Sequence, residues 1–104
     1  MSVYFFREKN VSITTAGTPV TTLLGKTDDK LVRQIKIVNN NATAKLVYGL
    51  SATVDAMSTP KIGQVLNPGE YAVEPVNFPG TPIYIDSDTS STKATVHYYT
   101  EQTL

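Results

Sequence analysis

Apolar and polar residues alternate along much of this chain. In residues 31–38, Ile35 and Ile37 are separated by Gln34 and Lys36. A repeat of two is the mark of a strand with one face turned to a core. The same repeat sets Val11 and Ile13 against Ser12 and Thr14 in residues 11–15. It puts Leu46, Tyr48 and Leu50 on one face of 44–50, and Ala94, Val96 and Tyr98 on one face of 93–100. Shorter strands are expected at 3–7, 20–24, 62–66, 71–76 and 83–85. No stretch carries a helical repeat. Residues 51–61 have no clean period and read as a loop with room for one helical turn.

The breaks between strands are chemically marked. Asn39, Asn40 and Asn41 suit a chain reversal, because asparagine tolerates left-handed backbone angles and bonds its own main chain. They predict a hairpin between 31–38 and 44–50. Asn67-Pro-Gly-Glu70 predicts a type II turn, with proline presetting the first central residue and glycine accepting a positive φ at the second. Pro75, Pro79 and Pro82 predict an extended, loop-like crossing, and 86–92 a polar turn. The sum is eight or nine short strands. The fold expected is all-β: a single antiparallel β-sandwich over residues 1–104, of jelly-roll or immunoglobulin-like type.

Composition narrows the function. Nine basic and nine acidic residues balance, so no net field attracts nucleic acid or an anionic membrane. The chain has no cysteine, which removes disulfides, thiolate metal sites and thiol nucleophiles. No apolar run is long enough to span a membrane, and the first residues lack the basic and apolar regions of a secretory signal. The expectation is a protein made in the cytoplasm, which stays there or leaves it inside a larger assembly or by lysis.

Candidate chemistry is sparse. His97 is the single histidine. Its place between Val96 and Tyr98 turns it outward beside Thr95 and Tyr99, with no orienting partner or nucleophile in view. Asp86-Ser-Asp88-Thr-Ser90 alternates oxygen ligands like a calcium loop. It has Ser91 where such a loop needs glycine and His97 where it needs glutamate, so it reads as a solvated turn. Asp28 and Asp29 lie between Lys26 and Lys30, which would hold them ionised. Isolated Gly63, Gly69 and Gly80 make no phosphate cradle. The glycan acceptor patterns at Asn10 and Asn41 read as chance. No catalytic residue, metal ligand or cofactor is expected.

Aromatic residues remain. Tyr4, Phe5 and Phe6 are consecutive, so an extended strand must send Phe5 to the side opposite Tyr4 and Phe6. Either the first strand is covered on both faces, or residues 1–8 form an arm that docks on a neighbouring subunit by strand addition. Tyr98 and Tyr99 pose the same choice. Tyr4, Phe5, Phe6 and Tyr99 are the candidate docking residues, and the strands at 3–7 and 93–100 the candidate docking edges. Tyr71, Tyr84 and Tyr99 are the aromatic residues that a sugar-binding face would use.

The order of segments resembles a family of small virion structural proteins of tailed bacteriophages. The likeness lies in Thr15-Ala-Gly-Thr-Pro-Val-Thr21, Val32-Arg-Gln-Ile-Lys-Ile-Val-Asn-Asn40 and Ala44-Lys-Leu-Val-Tyr48. It continues through Leu66-Asn-Pro-Gly-Glu-Tyr71, Pro82-Ile-Tyr-Ile85 and Ala94-Thr-Val-His-Tyr-Tyr99. It covers the chain from about Val11 onward and consists of turns and strands. The resemblance implies a β-sandwich component of the virion that decorates or stabilises the capsid without catalysis. The partners it implies are the major capsid protein or other virion proteins, with further copies of the chain also open. The alternative it leaves is a tail- or baseplate-associated or carbohydrate-binding receptor-recognition module.

Overall fold

The computed structural model describes residues 2–21, 31–78 and 83–103, with the side chains of 6–21, 34–75 and 83–98. Eight strands occur there, in chain order β1 (Ser2–Ile13), β2 (Val20–Thr21), β3 (Leu31–Val38), β4 (Leu46–Gly49), β5 (Gln64–Leu66), β6 (Tyr71–Phe78), β7 (Tyr84–Ser87) and β8 (Thr92–Thr103). They form two four-stranded antiparallel sheets. The first has the order β1-β8-β3-β6 and the second β2-β7-β4-β5.

The pairing is nested. β1 pairs with β8, β2 with β7, β3 with β6 and β4 with β5. The chain is thus one long hairpin, folded over on itself and closed by the β3–β8 and β4–β7 ladders. That arrangement is a jelly roll. Of the two sandwich types the sequence allowed, the strand order selects this one.

Most of the inward-facing residues are ones the alternation marks; Leu66 and Ile85 are additions. Val11 and Ile13 from β1, Ile35 and Ile37 from β3, and Ala94, Val96 and Tyr98 from β8 meet Leu46, Tyr48, Leu66 and Ile85 of the second sheet. Burying side chains such as Ile37 or Leu46 contributes roughly 1.5–3 kcal/mol each. β4 is buried on both faces, because Val47 packs outward beneath Val54 and Ala56 of the 50–63 loop.

Several expectations need correcting. Residues 3–7 and 11–13 are parts of one strand, β1, whose twelve residues stay in register with β8, and Thr14 and Thr15 lie beyond its end. The segments flanking Asn39–Asn41 make no hairpin: β3 and β4 lie in different sheets. Alternation reports which face is apolar, and Ile35 and Ile37 meet Leu46 and Tyr48 across the core equally well from opposite layers. Leu50 does not join Leu46 and Tyr48; it is 67% exposed at the start of the loop. The 51–61 segment contains no helical turn. Pro75 lies inside β6, which tolerates it because β6 is an edge strand, and the register shifts beside it.

Asn39 makes the crossing between sheets. Its side chain is fully buried and every polar position on it is used. The amide nitrogen donates to the carbonyls of Ala44 and Leu66 at 2.8 and 2.9 Å. The amide oxygen accepts from the main-chain and side-chain nitrogens of Asn41 at 3.0 and 2.9 Å. The turn at 67–70 docks on the same corner, with the Gly69 N–H donating to the Asn39 carbonyl. That turn has the expected form: Gly69 has φ of 83° and the Glu70 N–H donates to the Asn67 carbonyl at 3.0 Å.

Candidate interaction surface

The polar residues that looked most chemical are structural. Asp86 and Ser87 belong to β7 and are fully buried, which corrects the expectation of a solvated turn at 86–92. Asp86 accepts hydrogen bonds from the Gly17 N–H at 3.0 Å and the Ala56 N–H at 2.8 Å. It thereby fastens two separate loops to the outside of the second sheet. Asp88 accepts from the Lys45 N–H, and its other oxygen lies 4.0 Å from the Lys61 ammonium. Both carboxylates have their partners within the fold. Among the described residues no three histidine, aspartate or glutamate side chains come together as a metal site.

Tyr48 and Glu74 join the two sheets through the core. The Tyr48 hydroxyl donates to Glu74 Oε1 at 2.8 Å. Burial, reinforced by that hydrogen bond and by the carboxylate charge, pushes the Tyr48 hydroxyl up to about 12. A phenol held protonated this way is a strut, not an acid catalyst.

His97 sits on the outer face of the first sheet. Its ring meets Phe6 edge-on, with centroids 5.4 Å apart and planes at 68°. In register it lies opposite Glu8 of β1 and Lys36 of β3. Odd-numbered residues of β6 share this face. Tyr71 is 61% exposed and carries the Lys36 ammonium 4.4 Å from its ring centre, and Val73 is also exposed. Phe6, Gln34, Lys36, Val73 and His97 border a shallow depression of about 280 Å³. The sequence marks 71–76 as a strand but does not say which of its faces turns away from the core.

The two outer faces of the sandwich differ. The second sheet is roofed by its own loop, with Val54 and Ala56 packed on Val47 and partly buried Tyr84. On the first sheet Phe6, Val73 and Tyr71 are exposed. Tyr71 and Tyr84 stand in different sheets and build no shared aromatic platform.

Of the expected docking residues, Phe6 is 54% exposed. The side chains of Tyr4, Phe5 and Tyr99 lie outside the described residues, as do Asp28, Asp29, Pro79, Gly80 and Pro82. The expected docking edge at 93–100 is corrected: β8 is an interior strand, paired with β1 on one side and β3 on the other, and has no open edge. Residues 2–8 are paired with 97–103 as part of β1, which stands at the border of its sheet.

No protein-family model matches the chain, and no curated protein matches it. Among solved structures it is similar to one from Bacillus endospore appendages, which form a family of disulfide-linked pili. The identity is 10%, the match covers 97% of this chain and 87% of that chain, and the TM-score is 0.45. A likeness at that level carries no argument about role.

Proposed function

We propose that this protein is a non-catalytic structural component that acts by binding other proteins of an assembly. The assembly the sequence resemblance implies is the particle of a tailed bacteriophage, whose capsid the protein would decorate or stabilise. The observation that carries the docking role is the group of exposed apolar side chains on the outer face of the first sheet. On the first sheet the strands themselves leave Phe6, Val73 and Tyr71 in solvent around a shallow depression, whereas on the other side the exposed apolar residues, Leu50, Met57 and Ile62, belong to the covering loop. Exposed aromatic residues with a polar surround are what protein interfaces favour. Repetition by symmetry turns a modest contact into a firm one, because each further site engaged adds to the hold.

The test is the protein content of particles purified from cells that make this chain. Hundreds of copies per particle support capsid decoration, and a dozen or fewer place it at a tail, collar or vertex. Absence from every particle removes the virion reading. Replacing Tyr71 and Val73 with serine together should leave the fold intact and reduce incorporation; full incorporation of that variant would exclude this face as the contact.

A further inference from the structure

The depression on the outer face of the first sheet lies beside a break in the strand ladders. Against β8, β3 pairs Val32 with Thr100 but Ile35 with Tyr98. Against β6, it pairs Val32 with Phe78 but Gln34 with Pro75. The register thus shifts on both sides of β3 at one level. Irregularities of this kind bend a strand and re-aim its side chains. Gln34, Ile35 and Tyr98, which adjoin the shift, line the depression. Its volume of about 280 Å³ falls short of the roughly 300–1,000 Å³ of sites that enclose a cofactor or drug-sized molecule. It is a place for side chains of a partner.

The charge of the lining selects the chemistry of that partner. Phe6 and Val73 supply apolar walls, Gln34 an amide, His97 an imidazole and Lys36 an ammonium, and no carboxylate lines the site. The Lys36 ammonium lies 4.4 Å from the centre of the Tyr71 ring, and no carboxylate among the described residues pairs with it. Glu8 is the described carboxylate on this face. It stands opposite His97 on β1, two strands from Lys36 and so about 10 Å away across the sheet. Salt largely screens exposed charges at that separation. A partner that covers Phe6, Val73 and Tyr71 must also strip water from Lys36. An apolar cover would leave that charge unpaired, which is costly, whereas an anion set against it offsets the loss.

The geometry points to a partner protein that presents a carboxylate side chain flanked by apolar residues. The carboxylate meets the Lys36 ammonium, and an apolar neighbour lies against Phe6 and Val73. The Gln34 amide and the His97 imidazole stand beside it as further polar contacts. This inference rests on the reading of the face as a protein contact and adds what the partner must carry there. Lys36 acts in it as the selector: it favours an acidic segment over a neutral one of the same shape.

The probe is a capped leucine–aspartate–leucine tripeptide, titrated to about 20 mM because so small a contact binds with a millimolar dissociation constant. Its control carries asparagine in place of aspartate. His97 is the single histidine, so its ring protons give one resolvable set of nuclear magnetic resonance signals. The aspartate peptide should shift those signals and the Lys36 and Val73 amides to saturation. It should bind about two- to fivefold tighter than the control at low salt. The preference should shrink at about 0.5 M salt. It should vanish in Lys36→Gln and persist in Lys93→Gln, which removes a cation outside the depression. Equal binding of the two peptides, a preference that survives Lys36→Gln, or no saturable shift overturns the proposal. So does a protein that self-associates in sedimentation and becomes monomeric in Lys36→Gln, since the face would then belong to a second copy. An acid preference in a protein absent from all particles would leave this inference standing without the virion reading. Reduced incorporation of the Tyr71 and Val73 variant with no acid preference would do the reverse.

Discussion

Replacing Asn39 tests how the chain is held as it crosses from one sheet to the other. Asn39→Ala removes four hydrogen bonds at once and leaves the carbonyls of Ala44 and Leu66 without their partner. A neutral hydrogen bond contributes about 1 kcal/mol net, and a buried group left unsatisfied costs about 1–3 kcal/mol. Asn41 is half-buried and can turn part of its lost bonding to water, so the expected loss is about 3–4 kcal/mol. That is a large share of the 5–15 kcal/mol typical of a whole domain. It corresponds to a fall in Tm of roughly 15 °C. Asn39→Asp keeps the shape but turns a carboxylate oxygen toward two carbonyls, where an amide had donated. Its folded-state pKa should therefore lie above the unfolded value. The variant should be at least as unstable as Asn39→Ala at neutral pH and should recover part of the loss as pH falls and the carboxyl takes up a proton. The control is Asn40→Ala. Asn40 is exposed and bonds the Thr95 hydroxyl at 3.2 Å, so its loss should stay within about 0.5 kcal/mol. Urea unfolding followed by far-ultraviolet circular dichroism gives all three values, with a common m-value showing that the unfolded state is unchanged. An Asn39→Ala loss below about 1 kcal/mol, or one equal to that of Asn40→Ala, would show that the corner is not held by this side chain.

Three further outcomes follow from other contacts. Asp86→Ala strips acceptors from the Gly17 and Ala56 N–H groups and should cost about 2–4 kcal/mol; hydrogen exchange at those two amides should quicken more than at Ile37, and equal rates in variant and parent would refute the anchoring role. Tyr48 has a folded-state pKa of about 12 against 10 unfolded, so its contribution is complete below pH 10 and is lost as pH rises through 12. Tyr48→Phe should cost about 1–2 kcal/mol at neutral pH and flatten the alkaline fall in stability; an unchanged alkaline slope would place its cause elsewhere. Ser91 has φ of 58°, a left-handed angle that strains a side-chain-bearing residue. Ser91→Gly should raise stability by up to about 1 kcal/mol in thermal unfolding, and a loss would mean that the Ser91 side chain matters more than the strain.

Much of the architecture can be read from short-range pattern. The alternation at 35–37 and 94–98 names the residues that fill the core, because a side chain's face in a strand depends on its own position alone. Asn67-Pro-Gly-Glu70 names its turn, because proline and glycine fix the backbone angles locally. Scarce helix formers and frequent breaks make the chain all-β. The interaction face was half legible: Phe6 stood out as an aromatic on an end strand, while Val73 and Lys36 look like ordinary strand residues until their sheet is known.

Pairing is where local pattern fails. Ile35 and Leu46 carry the same alternation whether their strands are neighbours in one sheet or face each other across a core, so a polar corner reads as a hairpin. Of three consecutive asparagines, one is sealed in the interior and two are not, and nothing in their order says which. Asp86 in its serine-rich setting reads as a surface turn. It is buried because Gly17, 69 residues earlier, and Ala56, 30 residues earlier, bring their N–H groups to it. Residue type and spacing fix what each segment prefers to become. Which segments meet, and so which polar atoms are supplied with partners, depends on contacts between distant parts of the chain that exist only once it has folded.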